Sequence, residues 1–268
     1  MKGSPELSTS KVLSLYLLIP AGANVVMQLA LAPVARAVLE SPVREGSLRE
    51  RPWKRSRTTL TYAGLAAFGT EEERRALRRA VARQHQRVRS DGATPYDASD
   101  PDLQLWVAAC MYVGLRDGYR LFYGAPPEDA LYELASRFAT TLNVPPHRWP
   151  PTRAEFERYW HSQRDRAEVD GETREFFDDL LHLRWWSRVL SRGLGNYHAR
   201  MSMGFVDPVI RERVGWEWSN EHQARWERSL RPWVRAARWT PASFASLPLR
   251  VLMAHGRWRM RRQRAFTD

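Results

Sequence analysis

The sequence predicts an all-α fold in a single domain, and three observations carry that expectation. Apolar residues recur at helical spacing through the middle of the chain. Capping residues stand where those stretches begin. No stretch alternates polar and apolar residues over a strand length. The 268 residues are enough to bury a substantial core, and no composition shift marks a boundary, so residues 1–268 are read as one domain with loose tails at 1–10 and 257–268.

The first element must accommodate a run from Val12 to Ala35 that contains no charged residue and follows Lys2 and Lys11. Such a run can be a targeting segment, a membrane span or a buried helix. Pro20, Gly22, Asn24, Gln28 and Pro33 interrupt it, which favours a core helix starting near Ala21 with Asn24 and Gln28 one turn apart. Thr70 and Glu73 form a capping box, each side chain satisfying an otherwise orphaned backbone N–H. The helix they open is expected to reach about Ser90, with Leu77, Val81, His85 and Val88 on one stripe. Asp100 caps the next helix and Pro101, with its fixed φ, suits the first turn; that helix runs to Gly124 and is apolar nearly all round, as a central buried helix should be. Further helices are expected at Pro127 to Leu142, Thr152 to Asp165 and Glu172 to Ser191, separated by proline-rich connections such as residues 144–151. Ser90 to Ser99 reads as the most mobile loop.

Composition removes several functional classes. The single Cys110 excludes a disulfide framework, a thiolate zinc cluster and a cysteine-ligated iron–sulfur cluster, and fits a cytoplasmic protein. The net charge of +12 invites a nucleic-acid reading, but the basic residues are interleaved with acids, as in Glu71-Glu-Glu-Arg-Arg, the pattern of solvated helix faces. Nucleic acid is therefore not the expected partner. Only Arg257 to Arg264 is a dense basic block, read as a solvated tail or as a peripheral membrane contact. The 12 tryptophans point to a core, an interface or a pocket for flat apolar ligands.

Seven histidines occur without a His-Glu-x-x-His pair, and neither a phosphate-binding glycine loop nor a Gly-x-Ser-x-Gly elbow is present. What remains is His85, on the apolar face of a well-capped helix. It is either a satisfied core histidine or an axial ligand of haem, which needs one neutral imidazole in an apolar pocket. Arg55 and Thr59, four residues apart, share a helix face; they are either a solvated basic helix start or a polar pair beside a cofactor.

The order of motifs weighs these readings. Asn24-Val-Val-Met-Gln-Leu, Lys54-Arg-Ser-Arg-Thr-Thr-Leu-Thr-Tyr62 with Phe68-Gly-Thr, Arg83-Gln-His-Gln-Arg-Val-Arg89, Tyr96 and Asp100-Pro-Asp-Leu-Gln-Leu-Trp-Val107 together resemble the catalytic domain shared by MpaB-type oxygenases and the rubber oxygenase called latex clearing protein. Gly204 to Trp218 resembles that family's C-terminal part. The resemblance implies a globin-like core around a b-type haem, with His85 as the iron ligand, and Arg55 and Thr59 as cofactor-contacting residues important for activity. Arg89 is expected at a haem propionate or another bound anion. It further implies that O2 and a lipophilic substrate, an isoprenoid alkene in better-studied relatives, meet at the haem. The sequence departs from the family at Thr58, where the rubber oxygenase has a lysine, and at Ala108 and Leu31-Ala-Pro33, where relatives carry histidine. These changes thin the polar groups around the pocket, so a non-catalytic haem or lipid carrier, or a sensor, remains the alternative.

Overall fold

The computed structural model describes residues 6–262 and is helical almost throughout. In chain order the α-helices are α1 Thr9–Val12, α2 Ala21–Leu29, α3 Ala32–Leu39, α4 Pro52–Phe68, α5 Glu71–His85, α6 Pro101–Tyr123, α7 Glu128–Thr141, α8 Arg153–Arg164, α9 Gly171–Leu181, α10 Arg188–Phe205, α11 Pro208–Arg213, α12 Asn220–Trp239, α13 Ala242–Ala245 and α14 Leu247–Arg261. Strands β1 Arg89–Ser90 and β2 Tyr96–Asp97 form a two-stranded antiparallel ribbon.

Helix α6 is the axis of the core. Asp100 accepts from the Asp102 N–H at its start, and Gly124 adopts a positive φ just past its end, where a side chain would be strained. Trp106, Ala108, Ala109, Cys110 and Tyr112 along its middle are almost wholly buried. Against it lie α7, α2 and α12. The crossing with α2 is close at Gly114, where an added Cβ would overlap the Asn24 amide; that amide instead donates to the Cys110 carbonyl at 2.6 Å. Gln28, one turn on, donates to the Asn24 side chain at 2.6 Å, as their spacing implies. Much of the charge-free run is buried in the fold, although the two helical pieces Thr9–Leu18 and Ala21–Leu29, bent by 81°, are together long and apolar enough to span a membrane. No single helix among the described residues is long and apolar enough to cross a membrane.

Helix α4 packs on α7 and α14 through its C-terminal half. The Tyr62 hydroxyl donates to the Phe138 carbonyl and Arg137 donates to the Ala67 carbonyl, tying α4 to α7. Its N-terminal half, which carries Arg55 and Thr59, has one buried residue, Pro52. Aromatic residues fill the other side of α6: Trp106 stacks on Trp160 of α8 at 5.0 Å, and Tyr112 meets Phe156 edge-on at 4.8 Å.

Three expectations need correction. Helix α5 stops at His85, not at Ser90, because the Val88 N–H turns back to the His85 carbonyl and the Val88 carbonyl accepts from Ala98; Val88 is buried, but in a turn and not on the helical stripe. The segment Ser90–Ser99, expected as a plain loop, includes the end of β1 and all of β2, with Arg89 opposite Asp97 and Ser90 opposite Tyr96. The single helix expected over Glu172 to Ser191 is two: α9 ends at Leu181, Leu183 takes a φ of 58°, and α10 begins at Arg188 under a Ser187 cap. At the chain ends, α1 already begins at Thr9 and α14 runs to Arg261; residues 1–5 and 263–268 lie outside the described residues.

Candidate functional site

The capping box sets where His85 falls. Thr70 Oγ1 accepts from the Glu73 N–H at 3.2 Å and Glu73 accepts from the Thr70 N–H at 2.9 Å, fixing the first turn of α5. Fourteen residues on, His85 ends the helix beside α6 and the β1–β2 ribbon. Its Nδ1 lies 3.2 Å from Nε2 of Gln104, and the same amide donates to the Ala98 carbonyl at 2.9 Å. The Nδ1 edge of the imidazole therefore rests on Gln104 of α6, which is itself bonded to the backbone after β2, and Nε2 lies on the opposite edge. Because an amide N–H can only donate, Nδ1 accepts here and the neutral ring carries its proton on Nε2; ligation through Nε2 requires the Gln104 amide to present Oε1 to an Nδ1–H instead.

Burial is the largest influence on His85, and the Arg55 charge acts in the same direction, bringing its pKa down to about 4 against opposition from the Ala98 carbonyl and Asp97. The imidazole is neutral at physiological pH, which is the form that binds a metal. Gln104, in turn, is 4% exposed, and its Oε1 has no hydrogen-bond partner. A polar side chain in that position is retained at a cost unless it serves the group it touches.

Arg55 combines two properties that are rarely found together. Its side chain is accessible to water, yet surrounding protein desolvates the guanidinium and lowers its pKa, with no carboxylate offsetting the loss. Both hold for a side chain that projects into a recess enclosed by the fold. His85 is partly accessible and strongly desolvated in the same way, and the Arg55 charge acts on it. An enclosed cation without a counter-charge is a binding element for an anionic group. Thr59 lies one turn further along α4 and is likewise accessible. Thr58 and Thr61 spend their hydroxyls on the carbonyls of Lys54 and Arg57, whereas Thr59 makes no such bond. Its hydroxyl is available to a ligand.

The four residues expected at the site are not all brought together. The Arg55 charge reaches His85, Thr59 shares the Arg55 face, and Arg89 lies on the exposed ribbon opposite Asp97. Gln104 is the residue that sequence reading passed over. Its one signal was a polar side chain on the apolar face of the central helix; the partnering Ala98 carbonyl has no side-chain signature at all. The other histidine that burial keeps neutral is His198. Its Nδ1 lies 2.7 Å from the Leu181 carbonyl, and its Cε1 lies 3.2 Å from where a Gly22 Cβ would stand, so its ring is packed against α2. A separate surface cleft of about 720 Å³ is lined by Leu31, Pro33, Tyr96, Asp97 and Leu103, and by none of the four expected residues.

The donor set suits haem. Among the described residues no three His, Cys, Asp or Glu side chains converge on a point that could hold a metal ion, so a bare ion finds few protein ligands, whereas a porphyrin supplies four and asks the protein for one or two. A neutral, anchored imidazole and an unpaired enclosed guanidinium match the iron and a propionate respectively.

Residues 11–239 match the family described as ER-bound oxygenase mpaB/B′ and rubber oxygenase, catalytic domain. Uncharacterized proteins of Mycobacterium bovis and Mycobacterium tuberculosis are each 41% identical over 216 residues, covering 79% of this chain and 84% of theirs. No solved structure matches the chain.

Proposed function

The chain belongs to the catalytic-domain family that mpaB/B′ and the rubber oxygenases share, and from that premise we propose that it is a haem b-dependent oxygenase acting with O2 on a lipophilic substrate. The observation that carries the proposal is the pairing of an anchored neutral His85 with the enclosed, uncompensated Arg55. His85 would hold the iron through Nε2 with its ring proton on Nδ1 and the Gln104 amide turned so that Oε1 accepts that proton. Arg55 would bind a propionate, and its charge would bias the recess toward anionic groups. Thr59 would donate its free hydroxyl to a polar atom of the cofactor or of a ligand beside it. When bound, the haem supplies the redox-active iron at which O2 is activated.

The lipophilic substrate is inferred from the family, whose description names the rubber oxygenases. The departures at Thr58 and Ala108 add no free polar group: the Thr58 hydroxyl is spent on its own helix and Ala108 is fully buried. The substrate class that fits this reading is an isoprenoid alkene. Cleaving its double bond with O2 sends one oxygen atom to each of two carbonyl products and consumes no net electron donor.

Two measurements test the proposal. Protein reconstituted with haem should show a Soret band that His85→Ala abolishes and His198→Gln retains; a band unchanged in His85→Ala removes His85 as the ligand. With candidate isoprenoids, the reduced haem protein should consume O2 and release aldehyde or ketone fragments. Haem binding without O2 consumption would make the protein a carrier.

A further inference from the structure

We propose that the surface formed by the end of α12, by α13 and by the outer face of α14 docks on an anionic lipid bilayer. Eight large hydrophobic side chains are exposed among the described residues, and four of them fall within residues 239–251: Trp239 at 83%, Phe244 at 66%, Leu247 at 50% and Val251 at 65%. Isolated exposed apolar residues are ordinary, but a concentrated group on one surface marks an interaction site.

Helix α14 shows why these residues are not stray. Leu249, Met253 and Gly256 form one stripe and are buried, with Met253 packed against Gly64 of α4. Leu247, Val251 and Ala254 form a second stripe, offset by two residues and so on nearly the opposite side, and all three are exposed. The helix is apolar on both sides and only one is covered. Ser246 ends α13 and begins α14, so Phe244 and Leu247 are adjacent across a junction with no linker.

Charge identifies the occupant. Residues 228–262 contain nine arginines and no aspartate or glutamate. Arg235, Arg238 and Arg250 are exposed beside the apolar group. A second copy of this surface would oppose arginine with arginine. A bilayer carrying anionic headgroups instead accepts Trp and Phe at the level of the headgroups, while arginines bury their stems and keep their guanidinium groups on phosphates. The polybasic contribution attracts the protein, and the apolar side chains hold it.

The test is sedimentation of the full chain with vesicles of phosphatidylcholine alone or with about 30% phosphatidylserine. Binding to the anionic vesicles should be tighter by roughly tenfold or more, and raising the salt should weaken it. Trp239→Ser with Phe244→Ser should weaken binding to the anionic vesicles by roughly tenfold while the melting temperature holds. Arg235→Gln with Arg238→Gln should remove most of the preference for phosphatidylserine. Equal affinity for the two vesicle types, undiminished binding by both double variants, or a concentration-dependent dimer that buries this face would overturn the proposal. None of these readouts depends on haem.

Discussion

At the scale of single residues the account rests on a contrast between Arg55 and Gln104. Gln104 is buried with an unpartnered Oε1, and Arg55 is desolvated with no carboxylate offsetting its charge; such groups are costly when nothing uses them. Arg55→Met should therefore weaken haem retention without lowering the melting temperature of the haem-free protein, because it removes a desolvated charge that no acid offsets. A drop in haem-free stability would show that Arg55 is structural. Gln104→Leu should lower haem affinity by about tenfold, the usual range for a group that orients a ligand, as measured by transfer of haem to a scavenging globin. His85 gives a pH signature. The unfolded chain protonates this histidine near 6.5 and the folded chain only near 4, so acid favours the unfolded state. Its contribution to haem-free stability is present above pH 6.5 and is lost as the pH falls to about 4. His198, also lowered by burial, adds in the same sense. Thermal melts across that range should show the loss, and His85→Gln should make the profile shallower.

At the scale of elements, capping and close approach decide where the residues of the site sit. Thr70→Ala removes one half of the capping box and should cost about 1 kcal/mol by urea unfolding. Gly114→Ala forces its Cβ into the Asn24 amide and breaks that group's bond to the Cys110 carbonyl; a loss of about 1–3 kcal/mol is expected. These features also explain what the sequence made legible. The starts of α5 and α6 were readable because Thr70, Glu73, Asp100 and Pro101 act on backbone groups within three residues of themselves. The end of α5 was not, because Val88 is stopped by a hydrogen bond from Ala98 ten residues away, and the helical spacing of Leu77, Val81, His85 and Val88 continues past that point. The break between α9 and α10 depends on Leu183 adopting a left-handed conformation, for which leucine carries no signal. For the same reason His85 and Arg55 could be named from their patterns, but the reach of the Arg55 charge to His85 required the packing of α4 and α5.

At the scale of the whole molecule, the tryptophans and the positive charge divide between inside and outside. Trp106, Trp149 and Trp160 build the core beside α6, whereas Trp239 stands in water at the C-terminal surface. The arginines divide in the same way: Arg55 faces the enclosed recess, and the acid-free C-terminal segment carries the rest of the argument for a lipid surface. A lipophilic substrate and a bilayer-facing surface are compatible demands on one molecule, although each is tested separately. The central claim is that one histidine on a capped helix holds a haem, and titrating haem into the haem-free protein while recording the absorption spectrum tests it most directly. The account predicts a saturable Soret band at one haem per chain, lost in His85→Ala and kept in His198→Gln; a titration that never saturates, or a band indifferent to His85, would contradict it.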